Sequence, residues 1–298
     1  NYLYYGLHCF LKNYDFVHIH HIDGAFSLPL LRLKYPVITT SHGRPYMVEK
    51  WNRLVKSYFK LMERIAMRFS NIVVSVAFPL KDYYENEYKR RVVYIPNGVE
   101  EEGVDIKSAK EILDKLGLSA EYIFFTSSRI MPTKGVDLLI KAAAKTKTKI
   151  NVLIIGRLHE VPDYYKYLKQ NSADNIFFHQ AVNNRRVLMG LMKIAKFFVF
   201  PSYEEAMSMV LLEVASLGVP IICSDIPVNR YFLKEGVAYF NYDDFLDLAE
   251  KIDYVLNNYQ EARRKAACLQ EVIVKDYNWD GVADKYFDIY KTINMRKC

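Results

Sequence analysis

Ser127-Ser128-Arg129-Ile130-Met131-Pro132-Thr133-Lys134-Gly135 follows the apolar run Tyr122 to Ser127 and runs straight into Val136 to Lys145, a stretch of helical spacing. A strand that turns through a short loop into a helix is the unit from which parallel α/β sheets are built. The helix N-terminus so created presents free backbone N–H groups and a partial positive charge. Arg129 and Lys134 add two full charges on the same loop. A diphosphate is the natural ligand of such a loop, and a solvated basic loop is the plainer alternative.

The same alternation extends in both directions. Downstream, strands are predicted at Asn151 to Ile155, Ile176 to His179, Lys196 to Phe200, Pro220 to Ser224 and Val237 to Phe240. With Tyr122 to Ser127 they suffice for a complete doubly wound domain. Upstream, the candidates are Phe16 to His21, Val37 to Ser41, Ile72 to Val76 and Val92 to Ile95, after which Pro96-Asn97-Gly98 breaks the pattern. A doubly wound half usually has more strands than this first set, so further βα units are expected before Asn1. The boundary is drawn in the charged stretch Glu100-Glu101-Glu102-Gly103.

A second chemical segment, Pro201-Ser202-Tyr203-Glu204-Glu205-Ala206-Met207-Ser208, again follows a strand and leads into a short helix, Ser208 to Leu217, ended by Gly218 and Pro220. Glu205 falls in the loop and Glu213 inside the helix. A carboxylate in so apolar a helix is costly unless it accepts hydrogen bonds; ribose or sugar hydroxyls would supply them, as would backbone N–H groups in a purely structural role.

Composition bounds the rest. At 298 residues, 51% hydrophobic and 25% charged, the chain has the make-up of a soluble two-domain protein. Its apolar runs are far shorter than the roughly 20 residues that span a bilayer. Asn1 to Phe10 lack the basic start and long apolar stretch of a secretory signal. Cys9, Cys223, Cys268 and Cys298 form no CxxC pair, which points to reduced cytoplasmic thiols and to neither zinc nor a disulfide framework. The net charge of +7 favours anionic partners without choosing among them.

Taken in order and at this separation, the two segments resemble the donor-binding domain of retaining glycosyltransferases of glycosyltransferase family 4. The family's R-x4-K-G motif matches Arg129, Lys134 and Gly135, and its E-x7-E motif matches Glu205 and Glu213. Further upstream, Asp15-Phe16-Val17-His18-Ile19-His20 resembles the family's strand ending in H-x-H. Thr39-Thr40-Ser41-His42-Gly43 resembles its next strand, and Tyr94-Ile95-Pro96-Asn97-Gly98-Val99 its P-N-G-V linker. The helix after Tyr277-Asn278-Trp279 resembles a terminal helix that crosses back onto the first domain.

The resemblance implies an α/β GT-B fold: two Rossmann-like doubly wound domains facing a cleft, with residues 1–102 an incomplete acceptor-side domain, 103–275 the nucleotide-sugar domain and 276–298 the returning helix. It implies transfer of a sugar from a nucleotide diphosphate sugar to a glycan or lipid-linked acceptor with retention, with no metal, no cofactor and no nucleic acid. Arg129, Lys134 and Gly135 would hold the diphosphate, Glu213 the ribose, and Ala206, Met207 and Ser208 would line the sugar pocket. Glu205 would work beside the transferred sugar and His42 at the cleft. The chain departs from the family where E-G-F-G becomes Glu205-Ala206-Met207-Ser208, where the second glycine of a G-x-G turn is missing from Gly156-Arg157-Leu158, and where Glu100 replaces the usual Asp. A nucleotide-sugar epimerase or phosphorylase of related fold, and a non-catalytic nucleotide-sugar-binding relative, remain as alternatives.

Two features concern the first domain. His18, His20 and His21 are either half-buried strand residues or cleft residues; His42, at a strand's carboxyl end beside Gly43, is the stronger site candidate. From Lys50 to Phe69 apolar residues recur at helical spacing beside a basic row of Lys50, Arg53, Lys56, Lys60, Arg64 and Arg68. Such a helix either covers the sheet or rests on anionic lipid, a peripheral association with the inner face of the cell membrane.

Overall fold

Each of the ten apolar runs becomes a parallel strand in the computed structural model, which describes residues 2–47, 51–100, 103–118 and 121–295. The chain divides into two compact units, Asn1–Asn97 with Trp279–Cys298, and Gly98–Asn278. The divisions fall at 97/98 and 278/279, against the 102/103 and 275/276 drawn from sequence. Glu101 and Glu102 lie outside the described residues, as do Lys50 and Cys298.

The first unit runs α1 (Tyr2–Leu11), β1 (Val17–His20), α2 (Leu28–Leu31), β2 (Val37–Ser41), α3 (Arg53–Phe69), β3 (Ile72–Ser75), α4 (Phe78–Tyr88) and β4 (Val93–Tyr94), with sheet order β1-β2-β3-β4. β2 is buried along its whole length although three of its five residues carry hydroxyls. Each hydroxyl is bonded: Thr39 to Ser70 Oγ at 2.8 Å, Thr40 to His18 Nε2 at 2.8 Å, and Ser41 to Tyr84 OH at 2.8 Å. α3 starts where the Asn52 side chain accepts from Val55 N at 3.0 Å, and it turns Met62 and Ala66 onto Ile22, Leu28, Leu31 and Tyr35. Glu63, the only acidic residue of α3, is 1% exposed; Tyr46 and Tyr88 donate to one of its oxygens at 3.2 and 2.6 Å.

The second unit comprises α5 (Ile106–Lys115), β5 (Tyr122–Arg129), α6 (Val136–Ala143), β6 (Asn151–Arg157), α7 (Pro162–Gln170), β7 (Ile176–Gln180), α8 (Arg185–Ile194) and β8 (Phe197–Phe200). It continues through α9 (Met209–Ser216), β9 (Ile221–Ser224), α10 (Pro227–Leu233), β10 (Ala238–Phe240), α11 (Phe245–Asn257) and α12 (Tyr259–Asp276). The sheet order is β10-β9-β8-β5-β6-β7. Helices on both faces explain why β5 and β8 are apolar without alternation: Ile123, Phe124, Phe125, Phe197, Phe198 and Phe200 are all buried. The last helix, α13 (Trp279–Met295), belongs to the first unit, where Val282, Ile289 and Ile293 pack with Ile38, Val74 and Ile95.

α5 and α8 approach closely at Gly190. A Cβ built there would lie 2.5 Å from the Asp105 carbonyl oxygen and 3.1 Å from Ala109 Cβ. Overpacking of this kind costs about 1–3 kcal/mol. Gly190→Ala is therefore expected to lower the melting temperature by roughly 2–4 °C per kcal/mol lost, read by calorimetry; an unchanged melting temperature would show that the helices part without cost.

Candidate active site

The strand order of the second unit reverses between β5 and β8. From β5 the chain moves outward through β6 and β7, then returns to the other side for β8, so β5 and β8 are neighbours whose following loops diverge. In open α/β sheets this switch point is where ligands bind, outside the carboxyl ends of the strands. The two segments singled out from sequence are the loops that leave these two strands.

The loops are joined to each other. Tyr203 N donates to the Thr133 carbonyl at 3.0 Å, and Ser202 Oγ lies 3.3 Å from the same oxygen. Gly135 has φ 65°, a left-handed conformation, and a Cβ there would overlap the Pro201 carbonyl oxygen, so two separate reasons require glycine. Across this seam Lys134 Nζ lies 2.5 Å from Glu205 Oε1, the side chains only 22% and 13% exposed. Ser202 Oγ donates to the same carboxylate oxygen at 2.7 Å. Behind it, Ser224 Oγ donates to the Ser202 carbonyl at 2.6 Å and Asn229 Nδ2 to the Ser224 carbonyl at 3.0 Å, a buried polar chain that fixes the loop's base.

The other sequence-predicted residues are held differently. Arg129 is the last residue of β5, beyond a register irregularity between Ser127 and Arg129, rather than part of the loop. Its Nε lies 3.7 Å from Glu160, a carboxylate that also takes Arg157 Nε at 3.2 Å. Glu213 sits in α9 with Arg185, at the start of α8, 3.1 Å away. Met207 and Ser208 are buried and Ala206 half-buried. Ser208 is the N-cap of α9, its hydroxyl accepting from Leu211 N at 3.4 Å. Leu158, where the family's turn has its second glycine, is 3% exposed in a short helical turn.

The first unit contributes a separate imidazole cluster at the carboxyl ends of β1 and β2. His18 is half-buried and bonded to Tyr290 OH and Thr40 Oγ1, both at 2.8 Å. His20 Nδ1 lies 3.1 Å from His42 Nε2, and the His21 ring is 4.7 Å from that of His42. His21 has φ 74°, outside the usual range for a side chain with a Cβ. Burial, reinforced by the neighbouring imidazoles, pulls His18 and His42 down to about 4, and His20 is lowered for the same reasons. At neutral pH His18, His20 and His42 are therefore uncharged hydrogen-bonding groups. Among the described residues no group of three His, Cys, Asp or Glu is disposed to hold a metal ion.

Several participants were not read from sequence. Arg185, Glu160 and Ser202 partner the motif residues, and Tyr286 and Tyr290 of α13 hold Thr40 and His18. Only the two tyrosines carried a signal, their spacing of four on one face of a terminal helix.

Comparison with known proteins shows the family and the fold. The profile of "Glycosyl transferases group 1" matches residues 108–267, and that of "Glycosyltransferase Family 4" matches residues 3–102. An alpha-galactosylglucosyldiacylglycerol synthase of Streptococcus pneumoniae is 26% identical over 236 residues, 74% of this chain and 63% of that protein. The UDP-Gal:alpha-D-GlcNAc-diphosphoundecaprenol alpha-1,3-galactosyltransferase of Escherichia coli is 28% identical over 96% of this chain and 77% of its own length. HepE of Anabaena, solved with UDP and glucose, superposes with TM-score 0.84 at 15% identity, covering 98% of this chain and 81% of that one, and so shares the GT-B fold.

The lowered imidazoles have a consequence for acid stability. Unfolded, these groups titrate near 6.5; folded, His18 and His42 do so at about 4, so between the two the unfolded state binds more protons. Their contribution is complete above pH 6.5 and is lost as pH falls towards 4. Denaturant titrations at pH 7 and pH 5 should show the parent losing stability, and a His42→Gln variant, which lacks one titrating ring, losing less. Equal losses would remove the assignment.

Proposed function

The chain belongs to the glycosyl transferases group 1 family, and from that premise we propose that it moves a sugar from a nucleotide diphosphate sugar to a hydroxyl acceptor, with retention and without a metal. The observation that carries this reading is the Lys134–Glu205 pair at the switch point of the second sheet. An ammonium has three donors, so Lys134 can hold Glu205 and a diphosphate oxygen together. Lys134, Arg129 and the N-terminus of α6 are assigned to the negative charge that grows on the departing nucleotide as the glycosidic bond breaks, the charge a metal would otherwise stabilise. Glu205, on the same seam, is assigned to the transferred sugar, positioning it and stabilising its developing positive charge rather than attacking it. Glu213 is assigned to the ribose, with Ala206, Met207 and Ser208 beside the sugar and the neutral His42 as a hydrogen-bonding partner in the first unit.

The acceptor is a glycan, a lipid or a lipid-linked saccharide. Relatives named for diacylglycerol- and undecaprenol-linked products support the lipid forms. So does α3, whose Leu54, Tyr58 and Leu61 stay 81%, 44% and 51% exposed beside the exposed Arg53 and Lys60. We assign this face to peripheral contact with an anionic membrane, at the cytoplasmic side. Among the described residues no helix is long and apolar enough to cross a membrane.

Lys134→Ala should lower kcat/KM for the donor by about one to two orders of magnitude, the size of a lost charge-assisted hydrogen bond to phosphate, measured as acceptor-dependent nucleotide release. Unchanged kinetics would sink the assignment, and nucleotide binding without any turnover in the parent would identify a non-catalytic relative. Replacing Leu54 and Leu61 by Ser should weaken sedimentation with phosphatidylglycerol vesicles several-fold while leaving binding of the nucleotide unchanged; equal sedimentation would exclude α3 as the membrane face.

A further inference from the structure

The first unit carries a second concavity at the opposite edge of its sheet from the histidines. An open groove of about 980 Å³ is lined by Ile72 and Val93, the first residues of β3 and β4, by Met67 and Ile289, and by Arg64, Arg68, Arg90 and Arg91. Asn71, Tyr88, Asp288 and Thr292 complete it. Four arginines and one carboxylate line it, and the charge of Arg91 also reaches Glu85, which Lys81 holds at 2.7 Å.

The four cations are not equivalent. Arg90 is half-buried and spent on the end of α3: it donates to the carbonyls of Met67, Ser70 and Asn71, the latter two at 3.1 and 3.4 Å. This satisfies carbonyls that a helix C-terminus leaves open and offsets the negative end of its dipole, which would otherwise repel an anion. Arg64, Arg68 and Arg91 are exposed, and among the described residues none forms an ion pair. Asn71 Oδ1 accepts from Val37 N at 2.8 Å, and Tyr88 OH donates to Glu63 at 2.6 Å.

We propose that this groove binds an amphiphilic phosphate, its phosphoryl group among Arg64, Arg68 and Arg91 and its apolar stem along Met67, Ile72, Val93 and Ile289. Guanidinium forks match phosphate oxygens in pairs, and three of them, from two elements, α3 and the segment before β4, line this one groove. Ile72 and Val93 are half-buried while Met67 and Ile289 are buried, so it is chiefly Ile72 and Val93 that reward an apolar substituent, which inorganic phosphate lacks. The site is separate from the transfer chemistry: the β3 and β4 residues that line it are at the strands' amino ends, and the imidazole cluster lies at the carboxyl ends of their neighbours.

The test is calorimetric titration of the intact chain with dihexanoyl phosphatidate below its micelle concentration, beside inorganic phosphate and the zwitterionic dihexanoyl phosphatidylcholine. Phosphatidate should bind, with affinity falling as salt rises. The triple variant Arg64→Gln, Arg68→Gln, Arg91→Gln should bind it at least about tenfold more weakly, a loss of about 1.4 kcal/mol. Arg90 is left in place, and an unchanged melting temperature certifies the fold. Val93→Thr, an isostere that puts a hydroxyl on the floor without adding a charge, should weaken phosphatidate but not inorganic phosphate. Equal phosphatidate affinity in the parent and the triple variant, or inorganic phosphate binding as tightly as phosphatidate, would overturn the proposal.

Discussion

The neighbouring of β5 and β8 is the constraint on which the second unit depends. Two strands far apart in the chain lie side by side because the sheet is filled outward from its middle, first on one side and then on the other. Their loops therefore start from adjacent positions and must share one crevice. A basic loop and an acidic one in that position neutralise each other, and the Lys134–Glu205 contact seals the seam between them. The cost of burying such a pair is met by further bonds, from Ser202 to the carboxylate and from Ser224 and Asn229 to the backbone behind it.

The first unit solves a different problem with similar means. Its β2 is a core strand with a polar sequence, and every hydroxyl finds a partner on another element. Thr40 and His18 reach tyrosines of α13, and Ser41 reaches Tyr84 of α4. The strand that ends beside His42 is thus fixed from three directions, which holds the histidines at its carboxyl end in place.

Much of this was legible in the sequence, for a physical reason. Strands buried on both faces read as continuous apolar runs, so Phe197 to Phe200 or Ile221 to Ser224 could hardly be anything else between helical stretches. Motif spacing identified Lys134 and Glu205, because a loop pinned at Gly135 allows little else. Pairings between distant segments were not legible. His18 meets Tyr290 across 272 positions, and periodicity carries no information over such a span. Arg185 stands in the polar run Asn184-Arg185-Arg186 at a helix start, where nothing local marks it as the partner of Glu213. Arg129 was misplaced into the loop because a bulge lets β5 run on past its apolar stretch.

The return of α13 to the first unit sets an order of events during synthesis. Ile38, Val74 and Ile95 leave the ribosome before residues 98–278 are made, yet Val282, Ile289 and Ile293, which pack with them, leave it only afterwards. Residues 98–278 can complete their own sheet in the interval. The nascent chain therefore carries an unfinished apolar face for as long as residues 98–278 take to translate, and the unit begun earlier closes after the one inserted into it.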